Sequence, residues 1–197
     1  MKRFSKLHFI ALFLLTTACR VSENSTEPSQ VVNIEDKYEV KLPNSLTNQN
    51  NLYEQASLQY GDRKTDFFVA VIDENREEVN DLLYEVLKDS LRIRSKKAFA
   101  KKFKLRNYFE ICRKGWAEAN MMRPTAKQIT ETTINKYPAI VVETTEEVNG
   151  MGVFYVVAII QTKKTYYQIF TWTLANKKEK HYKQMKEIIN SFKELYV

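Results

Sequence analysis

The chain has 197 residues, with 31 Lys and Arg against 24 Asp and Glu, 44 % hydrophobic residues and 12 % aromatics. That length and apolar share bound it to one domain with a real core and exclude wholesale disorder. Four Gly and four Pro exclude collagen-like and low-complexity chains, two Cys exclude a disulfide scaffold or a Cys-rich zinc module, and two His leave little for His-based metal or triad chemistry.

The N-terminus reads as an export signal. Lys2, Arg3 and Lys6 form a positive region, and Phe9 to Leu15 an unbroken apolar run. That run is far shorter than the roughly 20 residues needed to cross a bilayer as a helix. The ending Thr16-Thr17-Ala18-Cys19 resembles a bacterial lipobox. In such lipoproteins the peptidase cuts before the Cys, whose thiol carries lipid, so the resemblance implies a signal over 1–18 and lipidation at Cys19. Cleavage would remove three cations and no acid, lowering the net charge from +7 to about +4. Part of the basic balance is therefore an export signal, and no nucleic-acid partner is expected. Residues 19–35 read as the lipidated Cys and a flexible tether, polar and Pro-containing, spanning roughly 20–25 Å root-mean-square. By resemblance to Gram-negative lipoproteins, Arg20 after the Cys, in place of Asp, favours the outer membrane over the inner.

Residues 36–197 read as the domain. Tyr38 to Pro43 alternates apolar and polar, a half-buried strand, and Asn44 to Tyr53 is loop. Ala56 to Tyr60 and Thr65 to Asp73 read as further strands; the continuous apolar run Phe67 to Ile72 asks for cover on both faces. Asn75-x-x-Glu78 is a capping-box pattern. The stripe Val79, Leu82, Leu83, Val86, Leu87 and Leu91 carries a first helix to about Leu91. Residues 92–124 are compatible with one or two helices broken near Gly115. Four strands follow, over Ile129 to Ile134, Ala139 to Val148, Val153 to Thr162 and Thr165 to Leu174, with Asn149-Gly150 a type I′ hairpin signal. Val153 to Ile160 is apolar at every position, so helices must cover the sheet on both sides. A last helix is expected from the capping-box pattern Asn176-x-x-Glu179, with Tyr182, Met185, Ile188, Ile189, Phe192 and Leu195 on one stripe. The fold class is α+β: an antiparallel sheet of about six or seven strands with helices on both faces.

YEVKLP at 38–43, INKYPA at 134–139, TYYQIFTWTL at 165–174 and IINSFKEL at 188–195 resemble, in that order, the PsbP/DcrB-like superfamily. The resemblance implies an α/β/α sandwich. Members are mostly accessory, assembly or interaction proteins, many of them lipoproteins, and the resemblance does not imply an enzyme.

Chemistry is scarce along the chain. Four Gly cannot build a phosphate-cradling loop, metal ligands at zinc spacing are absent, and no cofactor motif is present. His181 reads as a solvated helix residue among lysines. Glu143, Glu146 and Glu147 read as a solvated strand end rather than a cation site. Cys112, beside Ile111 and Trp116, reads as a structural thiol. The anomaly is RIRSKKAFAKKFKLR at 92–106, with eight cations (Arg92, Arg94, Lys96, Lys97, Lys101, Lys102, Lys104, Arg106), no acid, and Phe99 and Phe103 interleaved. It is either a solvated cationic face over two core Phe or a surface for an anionic partner, such as a membrane, an envelope protein or an acidic polymer.

The leading expectation is a non-catalytic, membrane-anchored lipoprotein acting as an interaction or accessory module in the bacterial cell envelope. The alternative is a small-ligand carrier using a sheet–helix cleft lined by Tyr155, Tyr166, Tyr167 and Trp172. A hydrolytic enzyme is a third reading, without an identifiable acid–base pair. A pocket of roughly 300 Å³ or more favours the carrier; two convergent carboxylates with raised pKa in it would favour the enzyme.

Overall fold

A computed structural model of the chain describes residues 27–195. The signal at 1–18 and the lipidation site Cys19 lie outside the described residues.

Seven strands form one antiparallel sheet. In chain order they are β3 (Thr47–Asn48), β4 (Leu58–Asp62), β5 (Phe67–Asn75), β6 (Ile129–Ile134), β7 (Tyr137–Val148), β8 (Met151–Gln161) and β9 (Thr165–Leu174). Their spatial order is β3-β4-β5-β9-β8-β7-β6. A second sheet of three strands, ordered β1-β2-β10, is built from β1 (Ser29–Ile34), β2 (Tyr38–Pro43) and β10 (Lys193–Glu194). Four α-helices complete the fold among the described residues: α1 (Arg76–Leu87), α2 (Lys96–Lys102), α3 (Leu105–Glu118) and α4 (Lys178–Ser191).

Strand β8 explains the layering. Side chains alternate across a strand, so Phe154, Val156, Ala158 and Ile160 enter one core while Val153, Tyr155, Val157 and Ile159 enter the other. The first core packs against Met185, Ile188 and Ile189 of α4 and against Tyr38, Val40 and Leu42 of β2. The second lies under α1, α2 and α3, with Phe99, Tyr108, Phe109 and Trp116 buried in it. Both faces are covered, as the apolar run requires. One cover, however, is shared between a helix and the small sheet, because Tyr38–Pro43 leaves the main sheet to pair with β1.

That pairing corrects the expected tether. Ser29–Ile34 pairs along its length with β2, from Ser29 opposite Pro43 to Ile34 opposite Tyr38. The folded domain therefore reaches back at least to Ser29. Other boundaries move as well. The strand expected over Ala56 to Tyr60 sits at Leu58–Asp62. Helix α1 stops at Leu87, four residues before Leu91. Its N-cap is as expected: Asn75 Oδ1 accepts from the backbone N–H of Glu77 (2.9 Å) and Glu78 (3.2 Å). Its apolar stripe is only half used. Val79, Leu83 and Leu87 pack on the core, while Leu82 and Val86 are 68 % and 69 % exposed.

Helix α3 runs through Gly115 without a break. Helix α4 begins at Lys178 after a 3-10 turn, and Asn176 does not cap it. The β6–β7 turn needs no Gly: Asn135 and Lys136 both take positive φ (45° and 72°). Asn135 Nδ2 compensates by donating to the carbonyls of Asn190 (3.0 Å) and Phe192 (2.6 Å) at the end of α4. The Asn149-Gly150 hairpin has the expected positive φ at both residues (52° and 77°).

Candidate functional site: an apolar cleft

A cavity of about 390 Å³ opens on the helical side of the sheet. Its floor is Ala70 and Ile72 of β5, Gln168, Phe170 and Trp172 of β9, and Tyr155 of β8. Cys112, Gly115 and Trp116 of α3, with Ala119 just after it, form one wall; Leu52 and Tyr53 form the other. That loop is pinned by Gln59, whose Oε1 accepts from the backbone N–H of Leu52 (2.8 Å) and Tyr53 (2.9 Å). The Trp172 ring stacks on Phe68 across the β5–β9 pair, with centroids 5.5 Å apart. Phe68 lies so close to Gly61 that a Cβ there would overlap its ring, which is why β4 carries Gly at that position. Gly115 has the opposite setting: a Cβ would meet nothing within 4 Å.

One polar group interrupts the floor. Gln168 is 8 % exposed and is the one amide in the strand TYYQIFTWTL. Its Nε2 donates to Glu74 Oε2 (3.0 Å) and to the Tyr108 hydroxyl (3.0 Å). The Tyr108 hydroxyl donates in turn to Glu74 Oε2. Burial, the Cys112 thiol beside it and the Glu74 carboxylate raise the Tyr108 pKa far above the ordinary tyrosine value, so the hydroxyl stays protonated as a donor. Burial also pushes the Cys112 thiol up to about 12. It is a neutral part of the wall at pH 7, not a nucleophile.

Of the four aromatics expected to line a cleft, Tyr155 and Trp172 do so. Tyr166 is buried in the same core, stacked on Tyr108 at 3.9 Å. Tyr167 points through the sheet to the other core, against Phe192 at 4.7 Å, because neighbouring residues of a strand face opposite ways. Sequence reasoning missed Trp116, Gln168, Gly115 and the Leu52–Tyr53 wall. Gln168 was the legible signal, a lone amide in TYYQIFTWTL.

The basic segment lies elsewhere on the surface. All eight cations are exposed, while Phe99 and Phe103 are buried and stacked on each other at 5.1 Å. Lys96 pairs with Asp81 at 2.6 Å, and Arg106 with Glu110 at 3.2 Å and Glu131 at 3.4 Å. Among the described residues, Arg92, Arg94, Lys97, Lys101, Lys102 and Lys104 have no carboxylate partner.

Two readings from the sequence need correction. His181 is not solvated: it is 3 % exposed, stacked on Phe67 at 4.6 Å, with Nδ1 3.0 Å from Gln184 Oε1. The helix turns it toward the sheet because Met185, one turn on, faces the same core. Glu143 is not a bare strand end. It accepts from the Tyr182 hydroxyl (2.8 Å) and pairs with Lys186 (3.3 Å), joining β7 to α4.

No protein-family model and no curated protein matches the chain. Solved structures do. The Ran-binding protein Mog1p of Saccharomyces cerevisiae matches with TM-score 0.52 and 12 % identity, over 86 % of this chain and 97 % of that one. A cyanobacterial PsbP from Synechocystis matches with TM-score 0.48 and 9 % identity, over 87 % and 95 %. LpqN, involved in cell envelope biogenesis of Mycobacterium tuberculosis, matches with TM-score 0.47 and 8 % identity, over 86 % and 87 %. At 12 % identity the likeness to Mog1p is one of fold alone.

Proposed function

We propose that this chain is a non-catalytic binding protein of the bacterial cell envelope, held at a membrane through lipidated Cys19, that carries a small apolar ligand in its cleft. One observation carries the reading: a 390 Å³ cleft with a nearly continuous apolar and aromatic lining and a single buried amide in its floor. That volume is in the range of small-molecule sites, so the carrier reading takes precedence over a module acting through its outer surface alone. Gly115 supports it. A helix-interior Gly costs roughly 0.5–1 kcal/mol relative to Ala, and no packing neighbour demands one here; its effect is to keep the wall of the cleft low. Hydrolysis has less support. Among the described residues no carboxylate lines the cleft, and Glu74 behind it is engaged by Gln168 and Tyr108. A second reading, contact with an anionic envelope partner through residues 92–106, is favoured by the six cations that have no carboxylate partner among the described residues.

The chain's two tryptophans, Trp116 and Trp172, both line the cleft, so its occupancy reads out in intrinsic fluorescence. The Cys19→Ser protein, titrated with the neutral probe N-phenyl-1-naphthylamine, should show saturable one-to-one quenching. Gly115→Leu, which fills the mouth, should weaken the probe at least tenfold while far-ultraviolet circular dichroism stays unchanged. Quenching that never saturates, or equal affinity in a folded Gly115→Leu protein, refutes the carrier reading. The anchor is tested separately: Cys19→Ser should release the protein from membranes and abolish fatty-acid labelling, and retention in detergent-free membrane fractions would refute it.

A further inference from the structure

The floor of the cleft contains a feature that an apolar container does not require. Gln168 is more than nine-tenths buried, and its amide has one orientation. Nε2 faces the Glu74 carboxylate at 3.0 Å and the Tyr108 hydroxyl at 3.0 Å. With the amide flipped, Oε1 would face the Glu74 carboxylate, an acceptor against an acceptor. Glu74 and Tyr108 therefore fix Oε1 as the free end. Among the described residues Oε1 receives no hydrogen bond, and Gln168 itself lines the cleft. Oε1 is not among the buried side-chain atoms left without a partner, so it is reachable from the cleft, where a ligand that displaces water from it must replace that hydrogen bond or lose affinity.

We infer that Gln168 Oε1 is the recognition point of the cleft, and that the ligand is a neutral, largely apolar molecule presenting one N–H or O–H donor to it. This deepens the carrier reading and rests on it. The surroundings select the same class. An anionic ligand at Oε1 would lie next to the Glu74 carboxylate and be repelled. A cationic one would lose its hydration against Trp116, Phe170 and Trp172 with no free carboxylate in the lining to replace it. The Tyr108 hydroxyl is not the recognition point, because Tyr108 is not part of the cleft lining; it lies behind Gln168, accepting from it and donating to Glu74.

The test compares two probes of the same shape. N-phenyl-1-naphthylamine carries one N–H donor; 1-phenoxynaphthalene has an ether oxygen in its place. Tryptophan quenching of the Cys19→Ser protein should give the amine an affinity about tenfold higher, as expected when the ether displaces water from an acceptor without replacing its hydrogen bond. Gln168→Met, which leaves the Tyr108–Glu74 hydrogen bond in place, should bring the two affinities within about twofold. The wild-type comparison needs no variant, so it stands even if Gln168→Met folds poorly. Equal binding of both probes by wild type overturns the inference and leaves the carrier reading intact. Binding of neither overturns the carrier reading itself. A preference for the amine that survives in folded Gln168→Met assigns the donor's partner elsewhere and also overturns the inference.

Discussion

Replacing Phe192 by Ala removes the ring that joins the last helix to both sheets. Phe192 follows α4 as its C-cap and is 0 % exposed. Its ring lies 4.7 Å from Tyr167 of the main sheet, 6.0 Å from Tyr38 of the small sheet and 6.4 Å from Tyr137 of β7. Loss of the buried ring costs about 2–3 kcal/mol by the area removed from water. The three tyrosine rings sit on three separate strands, two in the main sheet and one in the small one, and cannot collapse together. A residual void of roughly 60 Å³ at about 24 cal/mol per Å³ adds a further ~1.5 kcal/mol. The expected loss is therefore about 3–5 kcal/mol, a large share of the roughly 5–15 kcal/mol that holds a domain together. With a urea m-value of about 2 kcal/mol/M, the unfolding midpoint should fall by about 2 M, followed by far-ultraviolet circular dichroism at 25 °C. Leu82→Ala, on the exposed flank of α1, is the matched control and should move the midpoint by no more than about 0.3 M. A Phe192→Ala shift as small as that of Leu82→Ala would refute the placement of the ring as the joint between α4 and the sheets.

Alkaline stability follows from Cys112, whose thiol rises from an ordinary 9.0 to about 12 in the folded protein. The unfolded chain loses this proton first, so the stabilisation is full below pH 9 and is lost between pH 9 and 12, at about 1.4 kcal/mol per pH unit. Buried Tyr38, Tyr108 and Tyr167, all shifted upward, steepen the fall at the higher end. Urea midpoints of Cys112→Ala between pH 8 and 11 should decline less steeply than those of wild type; parallel curves would show that the thiol is not titrating as argued. Replacing Lys97, Lys101 and Lys102 by Gln should move the melting temperature by no more than about 5 °C, because none of the three has an ion-pair partner among the described residues, surface changes of this kind cost at most about 0.5 kcal/mol each, and a domain of this size moves about 2–4 °C per kcal/mol. The same triple variant of the Cys19→Ser protein should bind anionic vesicles more weakly than its parent, and the parent's binding should fade toward 1 M salt, where the Debye length is about 3 Å. Equally poor binding by both proteins at low salt would make the segment a solvated face and nothing more.

The elements that could be read directly are those whose pattern is local. β6 and β9 lie where alternation and turn residues put them, and Asn149-Gly150 forms its hairpin with positive φ at both residues. The run from Val153 to Ile160 required cover on both faces, because no polar side chain in it could face water. Asn75 caps α1 for an equally local reason, since its acceptor lies two and three residues from the donors it serves. The failures share a different cause. Ser29–Ile34 carries a weak pattern and is a strand because β2 offers it an edge to pair with. Leu82 and His181 both sit on helices with a clear period, yet one is exposed and the other buried; periodicity defines a face without saying how wide a neighbour covers it.

The same division holds for the site. Sequence by itself determined the antiparallel α+β layering, the aromatic supply of the sheet, the exposed cationic segment and the lipobox-like start. The tertiary structure alone decided that a cleft exists, since its walls come from a loop near residue 52, strands near 70 and 170 and a helix near 115. It also decided what the lone amide of β9 does: Gln168 and the carboxylate that orients it are 94 residues apart. Hydrophobic pattern reports which residues leave water, a property averaged over neighbours along the chain. A void and the direction of an amide arise where distant segments meet, and that meeting exists only in the packed fold.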